Sequence, residues 1–202
     1  MIRTEHLEID GVPLLATLEP GRAGIGLLAL HGAVEGGTAQ LAETVARRCG
    51  ATSLVFTQPG AAVPVHIPSR RMAVDHCALL RAFLERVPLT VSLHGHLRDQ
   101  ASHPLYLGGG NRAAALVLAR ELAVLEPRFK IVTDLDEIPA GLRGLHSRNP
   151  VNLTRLAGVQ VELPLPARTT GASNDPPQPV VEALVAGVRQ LARTLPVPGV
   201  TD

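Results

Sequence analysis

The sequence predicts an α/β fold, an open mixed sheet, largely parallel and flanked by helices, in one domain spanning residues 1–202. Three observations carry this. Short apolar runs at 24–30, 52–57, 89–93 and 158–163 alternate with helical-period stretches of about ten to fifteen residues, the pattern of βαβ units. Asp10-Gly11 stands between two alternating apolar runs and predicts a hairpin that adds antiparallel pairing. Finally, 46% hydrophobic residues over 202 positions suffice for one core without disulfide or metal staples. A metal held here would therefore serve chemistry rather than folding.

The elements follow in order. The opening strand turns at Asp10-Gly11 and continues through Val12 to Leu18. Residues 24–30 form a buried strand, and a helix runs from an N-cap at Thr38 to Cys49, closed by Gly50. Strand 52–57, rich in β-branched residues, leads through a Pro-rich loop to a helix over 71–87. A strand at 89–93 follows. Gly108-Gly109-Gly110-Asn111 reads as a turn feeding a helix, capped by Asn111, that reaches Leu125. Strands at 129–133 and 158–163 precede a Pro-rich loop and a last helix over 180–195.

Composition excludes several classes. The formal charge is +1, which opposes a dedicated nucleic-acid binder or electrostatic attachment to a membrane surface. Four aromatic residues and no Trp leave no base-stacking platform. No apolar stretch is long enough to span a bilayer, and Met1–His6 lacks the apolar core of a signal peptide, so the expected location is the cytoplasm. Cys49 and Cys77 fall on apolar helix phases and are expected as buried free thiols. Eighteen of the nineteen basic residues are Arg, which supplies forks suited to carboxylates.

In open α/β sheets ligands bind beyond the carboxyl ends of strands. After the strand at 24–30 come His31 and Glu35; after the strand at 89–93 comes His94, then His96; and Glu162 interrupts an apolar run near the end of the last strand. Three strand ends thus deliver two imidazoles and two carboxylates to one edge. Each has a plainer reading: His31 as a strand-end residue, Glu35 as a solvated first-turn carboxylate, His94 as a hydrogen-bonded core histidine. Glu162 resists one, because an unpartnered carboxylate between Val and Leu is costly to bury. Together the four offer what a catalytic Zn2+ needs: imidazole, carboxylate and an open position for water.

These segments resemble the poly-γ-glutamate hydrolase family, zinc enzymes related in fold to the carboxypeptidases. The resemblance rests on His31-Gly32-Ala33-Val34-Glu35-Gly36-Gly37-Thr38, Val65-His66-Ile67-Pro68-Ser69, Ser92-Leu93-His94-Gly95, Leu107-Gly108-Gly109, Asn149-Pro150-Val151-Asn152 and Gly158–Leu163, in the family's order over roughly 24–168. It implies a carboxypeptidase-like fold, zinc on His31, Glu35 and His94, and Glu162 as the catalytic carboxylate. His66 and Asn152 fall in its loop motifs and are expected to contact substrate. His146, just before Asn152, is a candidate donor to substrate. The spacing from His31 to Glu35 is one residue shorter than the family's common spacing, which moves Glu35. Pro164-Leu165-Pro166 replaces a small-residue-then-Arg pattern ahead of Arg168.

The expected activity is hydrolysis of an amide, a γ-glutamyl linkage by resemblance, in a small molecule or a polymer. Glu162 would take the proton of a metal-activated water and return it to the leaving amine. Arg148 and Arg168, which flank the catalytic segment, are candidates for oxyanion or carboxylate binding. The alternative is a metal-binding or phage-associated accessory protein without hydrolysis, released by lysis.

Other signals fall away. A strand at 27–32 like the oxyanion strand of an α/β-hydrolase lacks any Gly-x-Ser-x-Gly elbow. The segment 108–113 matches a dinucleotide fingerprint formally, but no convincing buried strand precedes it and no acid follows at ribose distance. His96 would share a face with His94 if the strand extended through it; His103 also remains open.

Overall fold

The structure, a computed structural model, describes residues 1–72, 74–98, 103–125, 127–171 and 173–195. Eight strands form one mixed sheet: β1 (Arg3–Ile9), β2 (Val12–Glu19), β3 (Ile25–Ala29), β4 (Thr52–Thr57), β5 (Leu89–His96), β6 (Leu105–Gly108), β7 (Ile131–Val132) and β8 (Gly158–Pro164). Their order is β1-β2-β4-β3-β5-β8-β6-β7. The block β4-β3-β5-β8 is parallel, as is β6-β7; the N-terminal hairpin and the β8-β6 junction are antiparallel. The hairpin turns on Asp10 and Gly11, both at positive φ, as the Asp-Gly signal predicts.

Helices α1 (Thr38–Cys49), α3 (Arg112–Leu122) and α5 (Gln178–Thr194) cover one face of the sheet. Leu41, Val45, Leu118, Leu184 and Val188 pack there against Val91, Leu93, Val159, Val161 and Leu163. Side chains alternate along a strand, so Ser92, His94, Gln160 and Glu162 project to the opposite face. On that face α2 (Ala78–Arg86) covers β1–β4 through Leu80 and Phe83 against Leu28, Leu54 and Phe56. It does not extend over β5 and β8. There Tyr106, Val132 and Ile138 form a small separate core under the loop that follows β7, and between the two covers a cavity opens.

Several boundaries differ from the sequence expectation. β5 continues through His96, since the ladder with β8 runs to the His96–Pro164 pair. A buried strand, β6, does precede Gly109; at four residues it is too short for a periodic signal. The expected helix over 71–87 is broken into two 3-10 turns, Ser69–Arg71 and Val74–His76, and α2; Ala73 lies outside the described residues. The break has a cause. Cys77 is extended and caps α2 through Sγ, while the Glu5 carboxylate of β1 accepts from Ala78 N (3.0 Å) and Leu79 N (2.7 Å). These partners fix the start of α2 at Ala78.

The helix reaching Leu125 ends at Leu122 and closes in a 3-10 turn. The strand at 129–133 contracts to two residues. α1 is flanked by Gly37 rather than capped by Thr38, whose Oγ1 instead donates back to Glu35 O (2.9 Å). Gly37 is required there: its φ is +88°, and a Cβ would lie 2.0 Å from Arg168 O. Both cysteines are free, Cys77 buried and Cys49 half-buried. No described helix is long and apolar enough to cross a membrane.

Candidate metal and catalytic site

Three adjacent parallel strands end side by side at the cavity floor. β3 leads through Leu30 to His31, β5 carries His94, and β8 carries Glu162 in register with His94. From His31 the chain makes a tight turn, with Val34 N and Glu35 N both donating to His31 O (2.9 and 2.8 Å). That turn returns Glu35 to the His31 ring four residues on. Spacing of one turn is therefore enough for the two side chains to meet.

The donor atoms converge. His31 Nδ1 lies 3.0 Å from Glu35 Oε1 and 3.2 Å from His94 Nδ1. His94 Nδ1 lies 3.6 Å from Glu35 Oε2, and that oxygen also accepts from Gly95 N at 2.9 Å. The outer ring nitrogens are tied off. His31 Nε2 donates to Ile67 O at 2.8 Å; a carbonyl only accepts, so the proton sits on Nε2 and Nδ1 of the neutral ring is a bare lone pair. His94 Nε2 meets Ser92 Oγ at 3.0 Å. Two inward-facing imidazole nitrogens and a carboxylate repel one another unless positive charge stands among them. A proton on an inward nitrogen, as in the Nδ1–H tautomer of His94 or in an imidazolium, or a cation supplies it, and two nitrogens with one oxygen form a donor set that fits Zn2+.

His66 is a further possible donor. Atoms of His31, Glu35 and His66 lie within 4.8 Å of one another, and the His66 ring rests 4.3 Å from that of His31. It differs from His94 in being exposed. Partial desolvation against the site, with the neighbouring His31 and His94, disfavours protonation of His66 and lowers its pKa.

The two carboxyls titrate in opposite directions. Burial alone would raise Glu35, but with the imidazoles protonated the charge on His94 and a hydrogen bond from His31 outweigh it and hold the carboxyl well below the usual range. Glu162, only 3% exposed, is pushed up to about 8 by burial and by the Glu35 charge, against the Gln160 hydrogen bond and the more distant His31 and Arg168. Divergent pKa values in neighbouring carboxyls are a feature of acid–base sites.

Glu162 is also held in place. Asn149 Nδ2 donates to Gln160 Oε1 (2.8 Å), which leaves Gln160 Nε2 to donate to Glu162 Oε1 (2.8 Å) and Leu142 O (3.3 Å). Gln160 was detectable in the sequence, two residues before Glu162 and so on the same face of the strand.

The cavity is about 480 Å³. His31, Glu35, His94, Gly95, Gln160 and Glu162 line its floor; one wall is His66, Pro68, Ser69 and Arg70; the other is Ala140, Gly141, Leu142, Gly144, Leu145 and His146, with Asn149 beside Gln160. Of the residues singled out from sequence, His31, Glu35, His94, Glu162, His66 and His146 thus come together. Three others lie elsewhere. Arg148 is exposed outside the lining, its N–H donating to His146 Nδ1. Asn152 braces loops: Nδ2 donates to Gly144 O and His146 O, and Oδ1 accepts from Gly110 N. Arg168 is buried beneath the floor, with Nη1 on Gly36 O (2.6 Å) and Nε on Leu163 O (3.3 Å).

His96 turns away despite the extended strand. Its Nε2 donates to Pro104 O, Nδ1 accepts from Arg98 N, and the ring packs on Tyr106. With His103 it lines a separate cavity of about 130 Å³.

Comparison with known proteins bears on the family and the fold. The poly-gamma-glutamate hydrolase family profile matches residues 14–173. No curated protein matches the sequence. Among solved structures, a bacteriophage poly-gamma-glutamate hydrolase is similar at 18% identity and a TM-score of 0.70, over 92% of this chain and 90% of that one. A zinc-free apo structure of YNDL is similar at 19% identity and 0.71, over 90% of each chain. A putative carboxypeptidase from Burkholderia mallei ATCC 23344 reaches 12% identity and 0.57, over 96% of this chain and 64% of that one. At these identities the structural likenesses establish a carboxypeptidase-like fold, and the family match covers most of the sequence. The chain belongs to the poly-gamma-glutamate hydrolase family.

Proposed function

We propose that this protein is a zinc-dependent amidohydrolase acting on γ-glutamyl linkages, in a small molecule or a polymer. The observation that carries the reading is the convergence of His31 Nδ1, His94 Nδ1 and the Glu35 carboxylate beside a second carboxyl of raised pKa. His31, Glu35 and His94 hold the metal, with His66 at the margin. Zinc bound there supplies a Lewis acid for the amide carbonyl and a bound water acidic near neutrality. Glu162, whose ionised form a bound cation would favour, takes the proton of the attacking water and delivers it to the leaving nitrogen. Gln160 and Asn149 keep its Oε1 engaged, so the other oxygen is left for the proton. The YNDL structure, described as zinc-free, supports the choice of metal by analogy of fold.

The test pairs metal analysis with turnover of γ-linked glutamate oligomers. Protein from metal-replete expression should carry stoichiometric zinc and cleave the oligomers. Glu162→Gln should keep its zinc and lose about 10²–10⁴-fold in kcat, the usual worth of a general base. Undiminished turnover in that variant overturns the role of Glu162. Substoichiometric zinc favours a non-catalytic accessory protein, and zinc without cleavage points to another amide.

A further inference from the structure

The cavity is electrostatically lopsided. Its floor carries two carboxyls, Glu35 and Glu162, and one permanent cation among the described lining residues faces into it: Arg70. This residue sits in the Ser69–Arg71 turn, on the wall that follows β4. Its neighbour Arg71 is already engaged, forking onto the Asp10 carboxylate through Nε and Nη2. Arg143 donates to Ile138 O, and Arg168 to Gly36 O and Leu163 O. Arg70 has no hydrogen bond or ion pair to any described residue and is exposed.

A guanidinium presents five donors in a planar fork that matches a carboxylate. Arg70 lines the cavity with these donors unengaged by any described residue. With zinc on the floor ligands the Glu35 charge is offset, and Arg70 is the permanent cation on the described walls left to attract an anionic part of the substrate. We propose that Arg70 is a specificity residue that binds a free carboxylate of the substrate next to the scissile amide, so that the site selects carboxylate-bearing amides over their neutral counterparts. The proposal rests on the amide-hydrolase reading for the identity of the cavity, but it concerns binding and is tested without turnover.

The experiment is calorimetric titration of zinc-loaded protein in the Glu162→Gln background, which prevents cleavage. The ligands are a γ-linked glutamate trimer and the same trimer with every carboxylate amidated. Arg70→Gln should weaken the acid trimer about 10- to 100-fold and leave the amidated trimer within about twofold. Arg70→Lys should recover part of the loss, as a point charge without the fork. Because Arg70 touches no described protein partner, neither change should alter the melting temperature. Equal weakening of both ligands overturns the proposal, as does unchanged acid-trimer affinity or a trimer that fails to bind the parent. Hydrolysis is scored separately with Glu162 intact. A protein that cleaves nothing, yet loses acid-trimer affinity on Arg70→Gln, keeps the Arg70 assignment and refutes the hydrolase reading.

Discussion

His94 and Glu162 occupy the same rung of the β5–β8 ladder, and the rung two residues earlier pairs Ser92 with Gln160. Each active side chain leans on the one behind it: His94 Nε2 on Ser92 Oγ, Glu162 Oε1 on Gln160 Nε2. Parallel pairing therefore sets the spacing of an imidazole and a carboxyl, while the preceding pair sets their orientation.

Ser92→Ala tests that support. The substitution leaves His94 Nε2 without its partner in a buried setting and frees the ring to rotate. Outer-shell losses of this kind weaken metal binding about 10- to 100-fold, and competition against a colorimetric chelator should read a change of that order. The fold should lose only about 1 kcal/mol, the net worth of one hydrogen bond. Unchanged metal affinity would mean that Ser92 does not orient His94.

The raised pKa of Glu162 makes the metal-free protein sensitive to pH. The unfolded carboxyl has an ordinary value near 4.5 and the folded one about 8. Between these the folded state holds a proton that the unfolded state has released, so this group lowers stability as pH rises through the window and adds nothing further above it. Glu162→Gln removes the effect. After chelation the variant should match the parent near pH 4.5 and exceed it increasingly up to about pH 8, by roughly 2–4 kcal/mol. Parallel melting-temperature curves for the two proteins across that range would show that Glu162 is not titrating there.

Gly95 admits no side chain. A Cβ there would meet Arg168 Cζ and Nε at 2.6 Å, and Arg168 is pinned by Gly36 O and Leu163 O. Gly95→Ala should therefore cost about 1–3 kcal/mol through overpacking. It should also weaken metal binding, because Gly95 N–H holds Glu35 Oε2. Thermal melts and the same chelator competition check both effects; a variant that melts like the parent would mean that Arg168 can move aside.

The strand-end placement of His31, Glu35, His94 and Glu162 was legible because β3, β5 and β8 are buried apolar runs whose polar residues fall where the runs stop. The parallel block and the hairpin were legible for the same reason. Other features were set by contacts distant in sequence. Glu5 decides where α2 begins, seventy-odd residues ahead of it. β6 is strand because β8 and β7 flank it, not because four residues favour it. Arg70 lies in an aperiodic loop beside a second arginine, and nothing local says which of the two faces the cavity. Arg168, near Glu162 in sequence, turns its guanidinium onto backbone carbonyls because α4 (Leu165–Arg168) carries it back under Gly95.

The cavity's floor and its walls come from different parts of the fold. The floor belongs to three central strands whose opposite face is locked by α1, α3 and α5, whereas the walls are loops that meet the floor through a few hydrogen bonds: Ile67 O accepts from His31 Nε2, and Leu142 O and Asn149 Nδ2 engage Gln160. Chemistry and selectivity are thereby mechanically separable. Exchanging residues 68–70 while keeping Ile67 would redraw part of the outline of what is admitted and leave the strand ends where the ladder puts them, whereas residues 140–146 are tied to Gln160 and Asn152 through Leu142 and Gly144. Such an arrangement lets the entrance be re-addressed to new ligands by loop grafting, with no need to rebuild the strand ends.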